Sequence, residues 1–240
     1  MALPIVETPK YEMIIPSTGK SVEYRPYLVK EEKILVMAME SKDSTSMIRA
    51  IRDVIESCTF KAVNPNNLTM FDLEFIFLKL RAVSVGAMAH IKIKCDNKQA
   101  KCEVYHELEL DLDTVAVQGK IEKEHKVPLN ETIGVILKYP TVMGSLTTSK
   151  MGDDENSYNM ILATIISCID VIYDSDNMHY AKDSTNAELQ DFVESLNQEQ
   201  FKKLNEFFSD MPQLKHDITF TCLGCGKENE KTIKGLQSFF

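Results

Sequence analysis

The chain has 240 residues, 44% hydrophobic and 26% charged, which excludes wholesale disorder and is enough to bury a core without disulfides. Its formal net charge is −9, from 36 acidic and 27 basic residues, so the chain lacks the basic footprint of a nucleic-acid binder. Residues 1–95 hold 13 basic and 11 acidic residues, whereas 96–240 hold 14 and 25, so the acidity sits in the second part, as solvated helix surface or as a face for a basic partner.

In chain order, residues 10–15 and 21–27 are short extended runs around Pro16-Ser17-Thr18-Gly19, a turn signal, and predict a β-hairpin. Residues 29–41 carry Ile34, Leu35, Ala38 and Met39 at helical spacing behind Glu31 and Glu32. Asp43 or Ser44 can cap a second helix ending at Cys58, with Met47, Ile48, Ile51, Val54 and Ile55 on its buried side. After the loop at 63–67, Thr69 can cap a third helix from Met70 to about Val85. Phe71, Leu73, Phe75, Ile76, Phe77, Leu78 and Leu80 make it apolar nearly all round, the mark of a central core helix.

From His90 the period becomes two. Ile91, Ile93 and Cys95 alternate with Lys92 and Lys94, and the pattern resumes at Val104, His106, Leu108, Leu110 and Leu112, which predicts a second hairpin. Residues 131–139 read as a strand. Residues 155–173 read as one strongly apolar helix, too short in its apolar stretch to span a bilayer. Two shorter helices are expected at 186–196 and 198–209, the latter capped by Asn197, then strands at 215–221 and 230–233. The expected fold class is α+β, a helical core with β-hairpins and a split four-cysteine zinc-ribbon element. Its stretches are 1–89, 90–150 and 151–240, or a single compact unit.

The start of the chain lacks the basic and apolar runs of a signal peptide, so a reducing cytoplasm is expected, where six Cys read as thiols or metal ligands rather than disulfides. Cys95 and Cys102 bracket the turn of the middle hairpin as C-x6-C, and Cys222 and Cys225 form C-x2-C. Gly224 and Gly226 lie where a metal knuckle needs positive φ so that amides can face sulfur. Strand–Cys–turn–Cys–strand, used twice, is the plan of a structural four-cysteine Zn2+ site, and four thiolates close it to catalysis. Lys92, Lys94, Lys98, Lys101, Lys227 and Lys231 would favour the thiolates. Unmetallated reduced thiols and redox chemistry are the competing readings, and His106 is a substitute ligand or a packed side chain. Cys58 and Cys168 fit as small core residues. Phe239 and Phe240 are two large apolar side chains that need burial, in this chain's own core or against a partner.

The sequence holds no G-x-x-x-x-G-K-[ST], dinucleotide-binding glycine pattern, G-x-S-x-G or H-E-x-x-H, and 144–150 lacks the second glycine of a phosphate loop. No catalytic residue is therefore expected.

Leu3-Pro4-Ile5, Thr8-Pro9-Lys10-Tyr11-Glu12, Pro16-Ser17-Thr18-Gly19-Lys20 and the run Tyr24-Arg25-Pro26-Tyr27-Leu28-Val29-Lys30-Glu31-Glu32-Lys33 together resemble the T4-type phage baseplate protein family. Leu35 to Glu40, Phe71-Asp72-Leu73-Glu74 and the terminal C-x2-C followed by Gly235-Leu236-Gln237-Ser238-Phe239-Phe240 add to the resemblance. It implies a non-enzymatic hub component or hub assembly factor of a contractile tail. The implied partners are other tail and baseplate hub proteins, a tape measure among the candidates, with no nucleic acid and no membrane. The implied location is the host cytoplasm during assembly, or the virion tail. A zinc-ribbon nucleic-acid or transcription adaptor is the alternative; the net charge opposes it, although 92–101 is a small basic tip.

Overall fold

The computed structural model describes residues 6–41, 43–97, 101–122, 124–144 and 157–236. Along the chain come β1 (Tyr11–Ile14), β2 (Ser21–Tyr24), α1 (Val29–Ser41), α2 (Ser44–Cys58), α3 (Met70–Val85), β3 (Met88–Lys94), β4 (Tyr105–Asp111), β5 (Ala116–Gln118), β6 (His125–Pro128) and β7 (Gly134–Leu137). Then follow α4 (Ser157–Cys168), β8 (Ile169–Tyr173), β9 (Met178–Tyr180), α5 (Asn186–Glu194), α6 (Gln198–Ser209), β10 (Gln213–Thr221) and β11 (Glu228–Lys234). The mixture of helix and antiparallel sheet is the expected α+β class. None of the described helices is long and apolar enough to cross a membrane.

Two compact units form, and neither is continuous in sequence. The first gathers 1–65, 71–118 and 213–240; the second gathers 66–70 and 119–212. Of the 36 acidic residues, 16 fall in the second unit's sequence against 8 basic ones, so the charge asymmetry follows the units.

In the first unit, β1 and β2 pair antiparallel with Tyr11 opposite Tyr24, and Gly19 takes φ +67° in their turn. α3 buries Phe71, Leu73, Ile76, Phe77, Leu78, Leu80 and Ala82. Phe75 stays half-buried, with Lys79 Nζ 5.7 Å over its ring. Buried Asp72 on the same helix accepts a 3.0 Å hydrogen bond from the Ser17 amide and so holds the β1–β2 turn. α2 starts where its cap predicts: the Asp43 carboxylate accepts from the Thr45 and Ser46 amides, each at 3.0 Å.

Arg25 and Glu31 knit this unit's helices together. Glu31 Oε2 accepts from the Leu28 amide at 2.7 Å and caps α1, while Oε1 accepts from Arg25 Nη2 and Ser57 Oγ of α2, both at 3.0 Å. Burial pushes the Glu31 carboxyl up, but the hydrogen bonds from Arg25, the Leu28 amide and Ser57, with the Arg25 charge, outweigh it and hold the group below its ordinary value.

The second unit is a four-stranded antiparallel sheet in the order β6-β7-β8-β9, covered by helices. Leu129, Val135, Leu137, Leu162, Ile165, Ile169, Leu189, Val193 and Leu204 form its core. α5 and α6 each begin with a complete capping box, Thr185 with Glu188 and Asn197 with Gln200.

The apolar run at 155–173 is not one helix. α4 ends at Cys168, and Ile169–Tyr173 is β8, paired with β7 on one side and β9 on the other. Ile169 and Val171 are buried and Asp170 is exposed, the period of two that a strand between two neighbours needs. β5, β6 and β9, of three or four residues each, escape the sequence pattern altogether.

Candidate metal centre

The cysteines lie at the tips of two hairpins of the first unit. β3 pairs with β4 from Met88↔Asp111 to Lys94↔Tyr105, so Cys95 leaves one strand as Cys102 leads into the other. β10 pairs with β11 from Lys215↔Lys234 to Thr221↔Glu228, so Cys222 and Cys225 sit on its turn. β10 also pairs with β5, Gln213↔Gln118 to Lys215↔Ala116, which returns the C-terminal hairpin to the chain that follows β4.

All four sulfurs lie within 4.8 Å of one another. Cys95 Sγ is 3.7 Å from Cys225 Sγ, and Cys102 Sγ is 3.7 Å from Cys222 Sγ. A tetrahedral zinc–thiolate site, with bonds of about 2.3 Å, has sulfur–sulfur edges of about 3.8 Å. The donor set and its spacing therefore fit such an ion. Cys95 and Cys222 are buried, and Cys102 and Cys225 are partly exposed.

Each knuckle turns its backbone toward sulfur. The Lys227 amide donates to Cys225 and the Val104 amide to Cys102. Gly226 takes φ +71°, as a knuckle requires. Gly224 does not have positive φ; it is needed for space, because a Cβ there would lie 2.7 Å from Val104 Cγ2. In the first knuckle the left-handed position is taken by Lys101, at φ +46°.

The two partly exposed thiols, Cys102 and Cys225, are shifted in opposite directions. The Lys227 amide and then the Asn97 side chain bring Cys225 down to about 6. Cys102 feels the lowering pull of the Val104 amide, yet desolvation and hydrogen bonding with the other three thiols push it up to about 11. Cys58 and Cys168 lie outside the cluster, and burial pushes both thiols up to about 11, as befits inert core residues.

Three of the six expected lysines are engaged by carboxylates. Lys227 pairs with Asp96 at 2.8 Å, Lys94 with Glu103 at 2.9 Å and Lys92 with Glu107 at 3.0 Å. What they supply is bracing: the Lys227–Asp96 pair joins the two hairpin tips. Buried Asn229 does the same, accepting from the Asp96 amide at 2.9 Å and donating to the Lys227 carbonyl at 2.9 Å. Sequence reasoning missed Asn229, since a single Asn in an alternating strand carries no signal of its cross-hairpin partner. His106 is buried, its ring 5.0 Å from that of Phe220, with Nε2 3.3 Å from Cys222 Sγ. It packs beside the sulfur and stands outside the four-thiol group. Lys98, Phe239 and Phe240 lie outside the described residues.

The T4 bacteriophage base plate protein family matches this chain over residues 8–240. The baseplate hub assembly protein gp26 of Enterobacteria phage T4 is 22% identical over 231 residues, covering 96% of this chain and 98% of that protein. No solved structure matches significantly. The family match spans both cysteine-bearing hairpins and the positions of all four clustered cysteines, so the chain belongs to the T4 bacteriophage base plate protein family.

Proposed function

We propose that this chain is a non-enzymatic baseplate hub assembly protein that works by binding other tail and hub proteins in the host cytoplasm, where tails are built. The full-length likeness to a hub assembly protein carries this reading. Affinity purification of the tagged chain from infected cells tests it: co-purifying hub proteins support it. A knockout that still yields complete hubs overturns it.

In this reading Cys95, Cys102, Cys222 and Cys225 hold a structural Zn2+, and the two knuckles act as one zinc ribbon. The four convergent sulfurs support it. The ion would tie together chain segments 120 positions apart, Cys102 and Cys222. A nucleic-acid adaptor is disfavoured by the net charge of −9, and two lysines of the basic tip, Lys92 and Lys94, are paired with Glu107 and Glu103. Metal analysis of protein purified without chelator should find about one zinc per chain, and none in Cys222→Ser; zinc-free wild-type protein refutes the site.

A further inference from the structure

α1 is more apolar than its burial explains. Of its thirteen residues only Glu31, Leu35 and Ala38 are buried, a single stripe at i, i+4 and i+7. Val29 is 80% exposed, Met37 and Met39 59%, Val36 47% and Ile34 42%. A helix that is apolar on several sides normally lies inside a core, and clustered exposed apolar residues mark an interaction surface.

Lys33, Val36, Met37 and Glu40 stand at i, i+3, i+4 and i+7, which makes them one diamond-shaped patch on the helix surface. At about 100° per residue the patch lies opposite the buried stripe. All four side chains are exposed. Its two apolar residues form the centre, and its two charges, of opposite sign, lie at the ends about 10 Å apart along the axis. Neither Lys33 nor Glu40 has an ion-pair partner among the described residues, in which other α1 charges do pair, Glu31 with Arg25 and Lys30.

We infer that this face of α1 binds a second copy of the same chain, antiparallel about a two-fold axis. The charge pattern selects both occupant and direction. A two-fold axis midway between Val36 and Met37 sets Lys33 of each copy against Glu40 of the other and packs the apolar centres together. A parallel arrangement would set lysine against lysine and glutamate against glutamate. One helix patch is smaller than the roughly 800 Å² per partner of a standard interface, so the association is weak, salt-sensitive and visible at high protein concentration. It depends neither on the cysteine cluster nor on the hub-assembly reading.

Sedimentation velocity of the full chain over a concentration series tests it, with far-UV circular dichroism to confirm that each variant is folded. The wild type should show a monomer–dimer equilibrium. Lys33→Glu and Glu40→Lys should each weaken it by about tenfold or more, because each reversal acts twice in a two-fold dimer. The double variant Lys33→Glu/Glu40→Lys restores opposite charges and should regain the wild-type constant, while Val36→Asp should leave only monomer. A wild type that is monomeric at every concentration overturns the inference and assigns the face to a different protein. A dimer indifferent to the single reversals, or not restored by the double, also overturns it.

Discussion

Glu31→Gln removes the acceptor on which the start of α1 and the Arg25 guanidinium both depend. The carboxylate side chain is 4% exposed and the Arg25 side chain 11%, so water cannot replace what is lost. Glu31 accepts from Leu28, Arg25 and Ser57. An amide has one acceptor oxygen, so keeping the Leu28 cap turns its NH2 toward the guanidinium. Breaking a buried ion pair by removing one partner costs about 3–5 kcal/mol. Arg25 keeps its 2.9 Å bond to the Pro26 carbonyl, which places the expected loss near the lower end, about 3 kcal/mol. Urea unfolding by circular dichroism measures it, and hydrogen exchange of peptides from α1 and α2 assigns the loss to the first unit. Arg25→Met/Glu31→Leu should lose less than either single variant, keeping a deficit of about 1 kcal/mol for the orphaned Leu28 amide. The pH dependence has a definite sign. Glu31 is held below its ordinary 4.5 in the folded chain, so its contribution is complete above about that pH and disappears as pH falls through the lowered value. Wild type and Glu31→Gln should therefore converge in acid. A loss under about 1 kcal/mol at pH 7, or a gap that widens in acid, would refute this account of the bracket.

Leu78, fully buried on α3, should cost about 2–5 kcal/mol when changed to Ala, and Phe75→Ala clearly less, since its ring is partly in solvent; equal losses in urea unfolding would contradict the packing. Glu74 has the opposite sign to Glu31. Burial pushes its carboxyl up despite the bond from the Leu236 amide, so stability is lost as pH rises through the raised value, and Glu74→Gln should melt higher than wild type at pH 7, the gain fading toward pH 4.5 and below. A lower melting temperature at pH 7 would show the carboxylate to be favourably held. In Cys222→Ser, loss of metal should be accompanied by faster amide exchange in β10 and β11, with the α1–α3 peptides unchanged; uniform destabilisation would mean that the cluster does more than join the two tips.

Where structure is local, the sequence determined it. α1, α2, α3 and α6 begin and end where spacing, caps and first-turn acids place them, because those signals act within one or two turns. The C-x2-C knuckle and the hairpin that carries C-x6-C were legible for the same reason. The string from Tyr24 to Lys33 announced a family before it had any physical meaning; the structure supplies that meaning in the Arg25–Glu31 bracket. Tertiary structure decided the rest. The switch from α4 to β8 inside one apolar run is set by β7 and β9, which offer Ile169–Tyr173 a ladder on both edges. β5, β6 and β9 exist only because a neighbour pairs with them, as β5 does with β10. That pairing closes the first unit across 119–212 and carries Cys222 and Cys225 to Cys95 and Cys102. No local pattern encodes such a meeting, because what holds it together, from the β5–β10 ladder to Asn229 and the Lys227–Asp96 pair, joins residues about a hundred positions or more apart.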